Sequence, residues 1–115
     1  MRGRDRLSLR AGVLVPAYII SRVRIRDPEA MARYVTEAPA TVVAFGGRYL
    51  VRGSEVQAVE GTWDHDRMVV VEFRDKQSAL AWYHSEQYAP LRELRHRSAD
   101  TIILLAEGVS ADVIV

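Results

Sequence analysis

The chain has 115 residues, 49% of them hydrophobic and 27% charged, which allows one folded domain with a modest core and excludes both a pair of domains and a disordered protein. A net charge of +1 and a pI of 8.2 fall short of the positive field of a nucleic-acid binder, so nucleic acid is set aside as a partner. The lack of cysteine removes disulfides, thiolate nucleophiles and cysteine-based zinc sites, and leaves a cytoplasmic location as the default reading.

Arg2, Arg4, Arg6 and Arg10 precede an apolar run from Ala11 to Ile20 and together imitate a secretory signal. Pro16 interrupts that run, Arg22 and Arg24 follow it closely, and no small-residue cleavage site appears; the run is also too short to span a membrane. Residues 1–15 are expected to be a disordered basic leader, residues 16–108 the domain, and residues 109–115 a tail.

From Ala17 to Arg26 the residues alternate, which predicts a first strand. Asp27-Pro28 then supplies an N-cap and a proline at the first helical position, where its missing N–H costs nothing. Met31, Tyr34, Val35, Ala38 and Val42 recur at helical spacing and predict an amphipathic helix. Pro39 should bend that helix or split it, and Gly46-Gly47 should end it. A second strand is expected from Arg48 to Arg52, with a turn or bulge at Gly53-Ser54 and a further extended stretch from Glu55 to Glu60.

Gly61 to Asp66 reads as a loop holding Trp63, and Arg67 to Phe73 as the third strand. Asp75 caps a helix carrying Ala79, Trp82 and Tyr83; a break near Ser85 to Pro90 leads to a second piece bearing Tyr88, Leu91 and Leu94, on which Arg92, Arg95 and Arg97 form a solvated face. Thr101 to Glu107 is the last strand. The order strand, helix, strand, strand, helix, strand predicts an α+β, ferredoxin-like βαββαβ fold, an antiparallel sheet with its helices on one face.

Such a sheet leaves its other face bare. Here the third and last strands are apolar on both faces, since Met68, Val70, Ile102 and Leu104 oppose Val69, Val71, Ile103 and Leu105. A symmetric homodimer with sheets packed face to face is the expected cover. The alternative is a tail from Val109 to Val115 folded over the sheet.

One set of residues resembles a known pattern: Ala17-Tyr18, Asp27-Pro28, Tyr34, Pro39, then Phe45-Gly46-Gly47-Arg48-Tyr49-Leu50-Val51-Arg52-Gly53, Glu60-Gly61-Thr62-Trp63, Val70-Val71-Glu72-Phe73, and Ala81-Trp82-Tyr83 with Ser85 and Tyr88. Over Pro16 to Gly108 the chain resembles the domain of unknown function family numbered 1330, in the dimeric α+β barrel superfamily. The resemblance implies that fold and a dimer, and marks Tyr34, Arg52, Trp63, Tyr83 and Tyr88 as positions that would line a pocket. The wider superfamily includes cofactor-free monooxygenases, muconolactone isomerase-like proteins, haem-degrading enzymes and small-ligand regulators.

The residues themselves offer no nucleophile, phosphate loop or dinucleotide fingerprint. Nor do His65, His84 and His96 have ligand spacing, so neither metal nor cofactor is expected; Asp64-His65-Asp66 reads as a solvated turn. Arg52, Trp63, Arg67, Tyr83 and Tyr88 come from strand ends, a loop and a helix that converge in this fold. Arginines beside aromatic rings suit a flat, anionic or carbonyl-bearing molecule. The competing reading makes the aromatics core or interface anchors, the arginines partners of Glu60 or Glu72, and the protein a non-catalytic dimeric module with no membrane partner.

Overall fold

A computed structural model describes residues 15–53 and 55–110. The expectations for the leader, for Ser54 and for most of the tail lie outside those residues. Four strands form one antiparallel sheet: β1 (Ala17–Ile25), β2 (Arg48–Gly53), β3 (Arg67–Phe73) and β4 (Ala99–Glu107), in the order β2-β3-β1-β4. Three helices complete the chain, α1 (Pro28–Ala44), α2 (Lys76–Tyr83) and α3 (Ala89–Ser98). This is the ferredoxin-like arrangement, with β1 and β3 central because each crossover returns the chain past its predecessor.

Local chemistry sets the element ends. Asp27 accepts from the Ala30 N–H at 3.2 Å, and Asp75 accepts from the Ser78 N–H at 2.8 Å, each satisfying an otherwise orphaned donor of the first turn. At the far end of α1, Gly46 adopts φ +79°, and the N–H groups of Gly46 and Gly47 return to the carbonyls of Val43 and Val42. That is a complete Schellman ending.

Gly47 also admits close packing: a Cβ there would lie 2.7 Å from Phe73 Cε1 and from Val42 Cγ1, both fully buried. Gly47→Ala is therefore expected to cost about 1–3 kcal/mol, read as a lower midpoint in thermal unfolding, because neither neighbour has room to retreat.

Of the two outcomes expected at Pro39, a bend or a split, the split does not occur: α1 runs unbroken over 17 residues. The missing proline N–H frees the Val35 carbonyl, and Arg52 on the neighbouring strand donates to that carbonyl at 2.5 Å, so the lost helical bond is replaced by a tertiary one. β2 also carries a bulge between Tyr49 and Val51 that the sequence did not announce. Residues 55–60, expected as a further extended stretch, form no strand.

Between α2 and α3, the Ser85 hydroxyl donates to the Trp82 carbonyl at 2.8 Å and accepts from the Tyr88 N–H at 3.1 Å, holding the turn that separates them. The core lies between the helices and the inner sheet face. Tyr88 and Phe73 are fully buried, Trp82 nearly so, with Trp82 and Tyr88 ring centres 4.2 Å apart. The Trp82 indole N–H is satisfied by Thr41 Oγ1 at 2.9 Å.

On the outer face, Val51, Val70, Ile20 and Leu104 stand in register across all four strands, and Met68, Arg22 and Ile102 form the adjacent row. Ile102 is 42% exposed and Leu104 49%. No helix among the described residues is long and apolar enough to cross a membrane.

Candidate functional site

The curvature of the sheet under α1 leaves an interior cavity of about 40 Å³, room for about three waters. Most of its wall is aliphatic, from β1, β3 and α1, with Trp82 at one side. Its polar lining is Ser21, Tyr34, Tyr49, Arg52, Arg67 and Arg95, and no aspartate or glutamate contributes to the wall. Strand alternation explains the placement. Tyr49 and Arg52 straddle the bulge, which turns both inward opposite Val71 and Val69, and Arg67 starts the inward row of β3.

The arginines differ in their partners. Arg52 reaches the Val35 carbonyl and lies 5.0 Å from the centre of the Tyr49 ring. Glu72 is taken by Arg48 at 2.8 Å, which holds its carboxyl below the ordinary range, so neither Arg52 nor Arg67 pairs with it. Arg95 is 3% exposed, a correction to the solvated face expected for it. Its Nε donates to the Tyr88 hydroxyl at 3.3 Å, while its buried Nη2 has no hydrogen-bond partner among the described residues.

Tyr88 in turn sits 2.5 Å, oxygen to oxygen, from Tyr34. Burial chiefly pushes the Tyr34 phenol well above its ordinary value, so it stays protonated at neutral pH. The Tyr49 phenol is raised as well, again mainly by burial. The Arg95 guanidinium also stands above its ordinary value: burial opposes the charge, and the attraction of Tyr88, Tyr34 and Tyr83 more than offsets it.

Of the six residues singled out in the sequence, Tyr34, Arg52 and Arg67 line this cavity, and Tyr88 touches it through the Tyr34 hydroxyl. Tyr83 lies across Arg95, bordering an open cleft with Thr101, and packs on Tyr88 and on the Arg92 guanidinium. Trp63 stands apart, stacked on His65 with ring centres 5.3 Å apart. The Asp64–Asp66 loop is fastened to β1 instead, Asp64 to Arg24 at 2.9 Å and Asp66 to the Ile25 N–H at 2.7 Å. Among the described residues no three His, Asp or Glu side chains gather as a metal site would require.

Sequence reasoning missed Ser21, Tyr49 and Arg95. A signal for Arg95 existed: Tyr88, Leu91 and Arg95 fall at i, i+3 and i+7, the inward stripe of a helix. Its charge masked the position.

Among solved structures, the chain is similar to the RPA0582 protein of unknown function from Rhodopseudomonas palustris, at 16% identity and TM-score 0.69, covering 95% of each chain. It is also similar to SnoaB, a cofactor-independent oxygenase from Streptomyces nogalater, at 9% identity and TM-score 0.62 over 80% of this chain and 91% of that one. HapK from Hahella chejuensis gives 18% identity and TM-score 0.60 over 86% and 98%. At these identities the likeness is one of fold, α+β with an antiparallel sheet, as in the dimeric α+β barrel proteins. No curated protein matches the chain. Residues 16–109 match the sequence pattern of the family described as domain of unknown function (DUF1330), and the chain belongs to that family.

Proposed function

We propose that the chain binds a small, flat, anionic or carbonyl-bearing molecule in the cavity between α1 and the sheet, without a cofactor, and does so as a homodimer. The observation that carries this reading is the charge of the wall: three guanidinium groups, Arg52, Arg67 and Arg95, and no carboxylate. Arg52 is exposed and Arg67 half-buried, so the cost of holding an uncompensated cation away from water falls on Arg95, and a ligand oxygen carrying negative charge repays it. SnoaB, a cofactor-independent oxygenase, shares the fold, which makes a cofactor-free transformation of the ligand compatible with this architecture.

The cavity is smaller than an aromatic acid, so α1 must shift outward on binding. Arg52 donates to the Val35 carbonyl of α1, a contact that a ligand carboxylate can take over. The small cavity also favours the second reading, a non-catalytic dimeric module whose interior is simply filled.

Titration with 2-naphthoate, followed by quenching of tryptophan fluorescence, separates the two. Saturable binding that falls about tenfold to a hundredfold in Arg67→Gln is expected, the worth of one hydrogen bond to a charged group. Identical titrations of wild type and Arg67→Gln would leave the filled module.

The dimer rests on the outer face. Strands of nine, six, seven and nine residues at about 3.3 Å per residue, set about 4.8 Å apart, give a face roughly 19 Å wide and about 20–30 Å long. That is somewhat over half of the roughly 800 Å² that a standard interface takes from each partner. Its apolar row is continuous over all four strands, so a copy of the same face meets it by a two-fold rotation.

A further inference from the structure

Hydrogen-bond donors outnumber acceptors at the most buried end of the cavity. Two hydroxyls in contact, Tyr34 and Tyr88, own two hydrogens and spend one between them. Tyr88 also accepts from Arg95 Nε, so the second phenolic hydrogen has no acceptor among the described residues. Beside it, Arg95 Nη2 is buried and unpartnered.

A guanidinium can grip a carboxylate side-on through Nε and Nη2 or end-on through its two Nη groups. Here Tyr88 occupies Nε, which closes the side-on edge and leaves the buried Nη2 as a donor on the same side as the Tyr88 hydroxyl. The other groups facing this space are cationic or phenolic: Tyr49 and Arg52 from β2, Arg67 from β3, and Tyr34 from α1, with only Ser21 from β1 and Trp82 from α2. Among the described residues none of those lining this space can act as a base near neutral pH; His96 and Asp100 line the open cleft on the other side of Arg95, where Arg26 holds Asp100.

We propose that Arg95 and the Tyr34–Tyr88 hydroxyl pair form a clamp for one oxygen of an acidic phenol or enol and hold it as its anion. On binding, the ligand O–H bond breaks, the electron pair stays on the oxygen, and the proton leaves to bulk water, since the cavity holds no group to keep it. The clamp rests on the site reading above and adds the class of ligand: an acidic hydroxyl on a flat ring or conjugated system, rather than a carboxylate alone. The high phenol pKa of Tyr34 keeps the pair a donor while the ligand ionises.

The test uses 4-nitrophenol, whose anion alone is yellow, at a pH about one unit below its own pKa, where roughly a tenth is ionised in water. Saturating wild-type protein is expected to raise the ionised fraction above about a half, a shift of one unit or more. Tyr34→Phe, which keeps the packing and removes the pair, and Arg95→Gln are each expected to lose the yellow shift. Binding of 4-nitrophenol without added colour overturns the clamp, as does failure to bind it when naphthoate binds. Loss of the shift in Thr101→Val with its retention in Tyr34→Phe would place the oxygen in the open cleft on the other side of Arg95 and also overturn it. If neither probe binds, the cavity reading falls with it.

Discussion

Arg95→Met is expected to raise the thermal stability of the protein while removing its affinity for phenolate. A guanidinium that is 3% exposed has shed its water, yet it holds one hydrogen bond to a neutral phenol and leaves Nη2 unpaired. The attraction of the surrounding tyrosines favours its charge fully only when they ionise, and phenols are neutral near pH 7. What remains there is the cost of burial set against one hydrogen bond to a neutral phenol.

Methionine follows the same path through the core, fills most of the same volume and adapts to what is left. Removing an uncompensated buried charge in this way is worth roughly 1–3 kcal/mol, and each kcal/mol moves the midpoint of a domain this size by about 4–8 °C. A calorimetric midpoint that falls instead by several degrees would make Arg95 a structural clamp on Tyr88. A midpoint that holds or rises, with the 4-nitrophenol colour lost, identifies a residue kept at the expense of stability for its ligand.

Leu104→Asp is expected to convert a dimer into a folded monomer, with the mass from light scattering halved at micromolar concentration. In a single chain Leu104 is 49% exposed, so the substitution asks little of the isolated fold. Across the proposed two-fold axis it buries two carboxylates in an apolar row opposite Ile20 and its symmetry mate, at several kcal/mol each. Retained far-UV circular dichroism separates dissociation from unfolding. A wild-type chain that already scatters as a monomer at that concentration removes the dimer altogether.

Much of the fold was legible because its signals are local. Asp27-Pro28 marks a helix start wherever it occurs, since capping and the fixed proline φ depend only on neighbours in the chain. The alternation through β1 and β3 announces strands for the same reason. Pro39 shows where that logic stops. Read locally it breaks a helix; in the folded chain the carbonyl it frees is met by Arg52, seventeen positions along, and the helix continues.

The site was half legible. Tyr34, Arg52, Arg67 and Tyr88 come together around the cavity, whereas Trp63 goes to a loop stacked on His65. Aromatic character alone does not separate these cases, because a ring is equally at home against a cavity wall or a neighbouring imidazole. Arg95 was concealed by its charge, which in sequence argues for water.

The sequence alone determined the alternation of elements, their caps and the two-sided greasiness of the sheet, because these follow from spacing and from neighbours a few residues away. Only the tertiary structure decided which charges lose their water: Arg48 finds Glu72 across a strand pair, while Arg95 is buried with Asp100, the carboxylate of the neighbouring cleft, already paired to Arg26. Desolvation is a property of all the atoms that close around a group, and those atoms come from every part of the chain.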